Sequence, residues 1–180
     1  MELMNNVRIA GGQVHVRGEA FFSQVEKDFK SFGRSLYKYL GISYAKFYKM
    51  SALSQLGFLA SEILLKDYEG SGLDPGEVSL VLANSSSSLH SDAIYQESIV
   101  TKPSPALFVY TLPNIVIGEI CIRNGFRGEG TFFIQENFDK EFIFDHAEGL
   151  ISSGRSTLCL AGWLEMDMEG EYLADLSLLK

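Results

Sequence analysis

Leu112 to Gln135 reads LPNIVIGEICIRNGFRGEGTFFIQ. Pro113 suits the first turn of a helix, because proline lacks the amide hydrogen that the first turn leaves unbonded anyway. The apolar run behind it carries that helix to Asn124. Gly125-Phe126-Arg127-Gly128-Glu129-Gly130 then turns the chain, and Gly130 to Gln135 reads as a strand rich in β-favouring side chains. The glycines do not form a dinucleotide fingerprint, which sits after a strand and opens a helix. Here a helix comes before them and a strand after.

The same alternation extends outward. Upstream, Val78 to Ala83 is a short apolar run between turn signals, which predicts a buried strand. Ser51 is positioned to cap a helix reaching Lys66, with Leu53, Leu56, Leu59, Ala60, Ile63 and Leu64 on one face. Leu73-Asp74-Pro75-Gly76 is a turn, Asn84 to Ser88 a polar loop, and Pro103 and Pro105 impose extended backbone. Phe22, Val25, Phe29, Phe32, Leu36 and Leu40 recur at spacings of three and four, which predicts an amphipathic helix stopped at Gly41. Val7 to Arg17, with Gly11-Gly12, reads as a strand or hairpin. Downstream, Asp139 to Ser153 is helical, Ser156 to Met166 a buried strand and Tyr172 to Leu178 a last short strand. These alternations predict a single α/β domain over residues 1–180, built on a mostly parallel five-stranded sheet with helices on both faces.

Composition narrows the function. The chain is 46% hydrophobic and 21% charged, which supports a folded core rather than disorder. Its net charge of -8 disfavours nucleic acid as a partner, since phosphates demand positive charge. No apolar stretch approaches a membrane span, and the first residues do not read as a signal peptide, so a cytoplasmic protein with no membrane partner is expected. Cys121 and Cys159 each sit in an apolar segment and read as packed thiols. The three histidines lack the spaced partners of a zinc site, and neither a metal nor a cofactor is expected.

The order of these pieces resembles the N-terminal half of the β-ketoacyl synthases. The resemblance runs from Lys49-Met50-Ser51 through Leu73-Asp74-Pro75-Gly76-Glu77-Val78 and Leu80-Val81-Leu82. It continues through Leu112-Pro113-Asn114, Gly118-Glu119-Ile120 and Ile122 to Gly128, and ends at Leu158-Cys159-Leu160-Ala161-Gly162-Trp163. It implies the thiolase fold, whose complete form packs two similar α/β halves back to back; the chain has room for one half. It also implies the family's activity, acyl transfer as a 3-oxoacyl-carrier-protein synthase. Residues 1–48 match poorly.

The resemblance places the family's nucleophilic cysteine near Asn137. The segment there is Gln135-Glu136-Asn137-Phe138, without a thiol. Thiolates form labile acyl intermediates because sulfur is strongly nucleophilic even when partly ionised. The amides of Gln135 and Asn137 cannot do this, and Glu136 would not hold a stable thioester equivalent. The family's condensation also uses two residues, commonly histidines, from the second half. In related multi-subunit synthases a partner subunit lacks the cysteine as well.

Other groupings have simpler readings. Ser85 to Ser88 with His90 and Asp92 suggests a triad, but no Gly-x-Ser-x-Gly elbow is present and a polar loop explains it. His146, beside Asp145, reads as a solvated surface histidine. Lys27, Lys30, Arg34 and Lys38 step by three, four and four, one helical stripe, with Lys46 and Lys49 following. Against an acidic background this cluster is a candidate surface for an acidic carrier protein, or an ordinary solvated face. In complete synthases the helix after the nucleophile lies between the halves; here Glu141, Asp145, Glu148 and Ser152 line one side of it, which predicts a wet face. The family dimerises through the strand before the nucleophile, so Phe132, Phe133 and Ile134 predict a homodimer, or a heterodimer with a full-length ketosynthase.

Three functions follow. The leading one is a non-catalytic synthase-like subunit in carrier-protein-dependent fatty acid, polyketide or polyene biosynthesis. The second is an acyl-thioester enzyme working through Gln135, Glu136 or Asn137 without a cysteine. The third is a structural dimerisation protein. A pocket is expected near Gln135, Glu136, Asn137 and the Pro103 to Pro113 segment.

Overall fold

The computed structural model describes residues 1–25, 28–68 and 74–180. Three antiparallel strands open the chain: β1 (Leu3–Ala10), β2 (Gln13–Val16) and β3 (Glu19–Ser23). Gly11 and Gly12 both adopt positive φ at the β1–β2 turn, where a side chain would be strained. Then follow α1 (Phe29–Tyr39), a 3-10 turn (Ala45–Lys49), α2 (Ala52–Leu65) and β4 (Val78–Asn84). The second half of the chain holds α3 (Leu89–Thr101), α4 (Pro105–Phe108), α5 (Ile115–Asn124), β5 (Gly130–Ile134), α6 (Lys140–Ser152), β6 (Leu158–Met166) and β7 (Tyr172–Leu179).

The seven strands form one mixed sheet in the order β3-β2-β1-β7-β6-β4-β5. This corrects the expected five-stranded, mostly parallel sheet. Among the described residues only β4–β5 and β4–β6 run parallel; β1–β2, β2–β3, β1–β7 and β6–β7 are antiparallel. The alternation of strand and helix predicted the parallel centre. The hairpin read over Val7 to Arg17 is β1 and β2, and the strand not expected beside it is β3, whose Phe22 the periodicity assigns to the first helix.

Helices cover both faces, as expected. Val7, Phe32, Leu36, Leu56, Leu59, Leu80 and Ile120 share the larger core, where α1, α2 and α5 pack on the sheet. Ile143, Ala147 and Leu150 of α6 meet Val81, Ala83, Cys159 and Ala161 on the other face. β4 and most of β6 are buried on both sides, so they read as continuous apolar runs rather than alternating ones.

Local signals held where they were strong. Ser51 caps α2, its hydroxyl accepting from the Ser54 amide at 3.2 Å. Asp139 caps α6 by accepting from the Phe142 amide at 3.0 Å. Gly125 ends α5 in the left-handed region at φ 72°. Other readings need correction. The first helix begins at Phe29 under an Asp28 cap; Phe22 belongs to β3 and Val25 is 93% exposed. Pro105 opens the short helix α4 instead of extending the chain. The helix α3 follows the serine loop although only Ser91 on it is buried. Asp74 accepts from the Gly76 amide at 2.8 Å in the predicted turn, while Leu73 lies outside the described residues.

Candidate functional site

The carboxyl ends of the parallel strands β4, β5 and β6 converge, and this edge of an α/β sheet is where ligands ordinarily bind. The loop after β4 is held from within. The Asn84 side chain donates to the Ser87 carbonyl at 2.8 Å and accepts from the Ser87 amide at 2.9 Å. Ser87 sits at φ 52°, a left-handed conformation unusual for a side-chain-bearing residue. Glu165 of β6 accepts from the Ser85 amide at 2.8 Å, the Ser85 hydroxyl at 2.7 Å and the Ser86 amide at 3.2 Å. The Ser85 and Ser86 donors of this loop are therefore taken by the protein's own carboxylate.

The segment the resemblance matches to the nucleophile lies beside this loop. The Gln135 amide donates to the Asn84 carbonyl at 2.9 Å, joining the end of β5 to the end of β4. Gln135 is half-buried, and its Oε1 is shielded without a hydrogen-bond partner among the described residues. Glu136 and Asn137 are exposed, Phe138 stacks on Trp163 with ring centroids 5.4 Å apart, and Asp139 begins α6. A nucleophile just ahead of a helix would gain from its positive N-terminal end. No thiol or hydroxyl occurs among Gln135, Glu136, Asn137, Phe138 and Asp139.

The two thiols do not substitute. Cys159 is buried in β6, and burial pushes its pKa up to about 12. Burial also raises the Cys121 thiol. Thiols held protonated are inert. The serine loop makes no triad either: Ser88 Oγ lies 3.1 and 3.2 Å from the Asp92 oxygens and 2.7 Å from the Thr111 carbonyl, while His90 Nδ1 has no hydrogen-bond partner among the described residues. His146 is not the solvated residue expected. It is half-buried against Phe133, with centroids 5.2 Å apart, and its Nε2 is shielded.

The cationic candidates divide. Lys30, Arg34 and Lys38 are exposed on α1, and Lys49 is exposed at the end of the 3-10 turn. Lys27 lies outside the described residues. Lys46 does not join the free cluster: its Nζ stands 2.6 Å from Glu119 Oε2. Sequence reasoning missed that buried acid, because its partners Lys46 and Tyr110 come from other segments. Glu119 Oε1 accepts from the Tyr110 hydroxyl at 2.9 Å. The Tyr110 pKa is raised, first by burial and then by that hydrogen bond.

A cavity of about 670 Å³ opens between α1, the start of α2, α3, α4 and the β6–β7 turn. Leu107 and Tyr110 bring part of the expected Pro103 to Pro113 segment to its wall, but Gln135, Glu136 and Asn137 do not line it. Lys30, Arg34 and Lys49 do. Sequence signals for its remaining walls were absent, since Met166, Glu169 and Glu171 lie far along the chain from the lysines. Among the described residues no cluster of His, Cys, Asp or Glu is arranged to hold a metal, and no single helix is long and apolar enough to cross a membrane.

On the dimer candidate, β5 pairs with β4 on one side only among the described residues, which leaves it at the sheet edge. Phe132 and Phe133 are half-buried and Ile134 is 53% exposed. Glu141, Asp145, Glu148 and Ser152 are all exposed on α6, so that face is wet in this chain, as expected.

No family model and no curated protein matches the sequence. Solved structures do. A chain of AntDE:AntF, a type II PKS acyl-carrier protein in complex with its ketosynthase bound to the hexaketide, superimposes with a TM-score of 0.68 at 15% identity over 99% of this chain. The ishigamide ketosynthase/chain length factor gives 0.64 at 16% identity over 98% of this chain. The ketosynthase ApeO in complex with its chain length factor ApeC from Xenorhabdus doucetiae gives 0.64 at 13% over 99%. The chain spans 61%, 60% and 78% of the length of those chains. At such identities the likeness is one of fold, and the fold is the ketosynthase-like, thiolase-type fold.

Proposed function

We propose that this chain is a ketosynthase-like subunit without a cysteine nucleophile, and that it pairs with an active ketosynthase in carrier-protein-dependent fatty acid, polyketide or polyene biosynthesis. The observation that carries the reading is the content of the β5–α6 junction. Gln135, Glu136 and Asn137 stand there, and neither an amide nor a carboxylate can form the labile acyl intermediate that a thiolate forms. The similar structures support the partner role, because two of them are of a ketosynthase with a chain length factor and one holds an acyl-carrier protein. An acyl-thioester enzyme using Glu136 is less well supported. Glu136 and Asn137 are exposed, whereas general acid–base work needs converging groups in a cleft.

The pairing surface is the open edge of β5. An unpaired edge strand offers a row of backbone donors and acceptors, and a partner strand across a two-fold or pseudo-two-fold axis satisfies them. Ile134 and Phe142 are 53% and 43% exposed and extend the apolar contact beside that edge. The exposed cations Lys30, Arg34, Lys38 and Lys49 then serve an acidic carrier protein, with Lys27 on the same stripe by sequence. Such docking weakens with salt.

The test is size exclusion with light scattering, on the chain alone and mixed with full-length ketosynthases from the same cell. A heterodimer is expected, and Ile134→Lys is expected to abolish it while leaving the circular dichroism spectrum unchanged. A homodimer lost on the same substitution would move the reading to the structural dimer. A chain that stays monomeric with every ketosynthase would overturn both.

A further inference from the structure

We propose that the cavity between α1 and the β6–β7 turn is a binding site for a single amphipathic carboxylate with a medium-length alkyl chain. This site is separate from the β5 edge and does not depend on the pairing reading, but it shares Lys30, Arg34 and Lys49 with the surface assigned above to a carrier protein.

Two observations converge on it. The first is size and lining: about 670 Å³ lies within the roughly 300–1,000 Å³ of small-molecule sites. Phe29, Met50, Ile94, Leu107 and Met166 supply apolar wall, which suits an alkyl chain. The second is charge. Lys30, Arg34 and Lys49 line the same cavity, and none lies within ion-pair distance of a carboxylate among the described residues. A planar guanidinium receives a carboxylate through two parallel hydrogen bonds, so Arg34 is the natural anchor.

The acids decide the ligand's charge. Asp28, Glu169 and Glu171 also line the cavity, so the charged lining residues sum to no net charge. A polyanion such as a nucleotide or a phosphopantetheine arm would meet these acids as well as the cations. A monoanion is able to keep its one charge at Arg34 and Lys49 and run its chain along the apolar wall.

The test is isothermal titration of the whole chain with decanoate below its micelle threshold, with decanol and decylammonium as comparators. Decanoate is expected to bind saturably, one per chain, and about tenfold or more tighter than either comparator, as a charge-assisted hydrogen bond implies. Arg34→Ala is expected to weaken it about tenfold. Ile94→Trp, which fills the cavity, is expected to abolish it. Ile134→Lys is expected to leave it unchanged, so failure here and failure of the pairing reading are distinguishable. Equal binding of the three ligands, absence of saturation, or full binding by both Arg34→Ala and Ile94→Trp would overturn the site. Should Ile94→Trp misfold, Arg34→Ala and the ligand comparison still decide.

Discussion

The Lys46 ammonium stands 2.6 Å from Glu119 Oε2, tying the 3-10 turn ahead of α2 to the middle of α5. The Glu119 side chain is 5% exposed, and its other oxygen accepts from Tyr110. Removing the lysine leaves a desolvated carboxylate. A fully buried broken pair costs about 3–5 kcal/mol. Lys46 is 41% exposed, so water offsets part of that. Lys46→Met is expected to lower unfolding stability by about 1–2 kcal/mol in urea titrations, whereas Lys38→Met on the exposed stripe is expected to change it by less than about 0.5 kcal/mol.

Two glycines should respond to alanine with opposite signs. Gly162 in β6 sits at φ 149°, and a Cβ there would run into the Asp175 carbonyl of the neighbouring β7 backbone. Backbone cannot swing away as a side chain can, so Gly162→Ala is expected to cost about 3 kcal/mol or more. Gly118 lies within α5 with no described residue within 4 Å of an added Cβ. Gly118→Ala is expected to stabilise by about 0.5–1 kcal/mol, through helix propensity alone. Thermal melts of the two variants check both.

Cys159 links stability to alkaline pH. Its folded pKa of about 12 lies above the ordinary value of 9.0 because burial penalises the thiolate. The folded state keeps the proton after the unfolded chain has lost it. The contribution is therefore whole below pH 9 and falls away as pH rises toward about 12. Unfolding stability measured across that window should decline, and Cys159→Ala should flatten the decline. At neutral pH, alkylation by iodoacetamide is expected at Cys121, which is half-buried, well before Cys159; faster modification of Cys159 would contradict the inert-thiol assignment.

Glu165 holds the serine loop by accepting from the Ser85 and Ser86 amides and the Ser85 hydroxyl. Glu165→Ala leaves these donors to water and is expected to cost about 1–2 kcal/mol. Hydrogen exchange should accelerate at Ser85 and Ser86 and stay unchanged along α2. Unchanged exchange at both serine amides would mean that the Asn84 bonds alone hold the loop.

Legibility followed the range of the interactions. α2 and α6 could be read because Ser51 and Asp139 cap them through amides three residues on, and β4 because its whole span is apolar. The false start of α1 has a physical cause. Phe22 does meet Phe32, with centroids 5.9 Å apart, but across a β3–α1 contact rather than along one helix. Periodicity cannot tell the two apart. α3 gave no signal because it buries almost nothing. Of the candidate site, Gln135 to Asn137 was placed through the resemblance, and the exposed cations through spacing. Of the cavity, the wall at Leu107 and Tyr110 was anticipated; the rest was not legible, because it comes from segments more than a hundred residues apart.

Sequence alone determined that the chain is an α/β domain with a parallel centre, and that no thiol stands between Gln135 and Asp139, because helix caps, apolar runs and the presence of an atom type are local facts. Tertiary structure decided the seven-strand order, the removal of Lys46 from the free cations by Glu119, and the gathering of Arg34, Ile94 and Glu171 around one cavity. These depend on which distant segments pack together, and that is set by burial of the whole core rather than by any one stretch of chain.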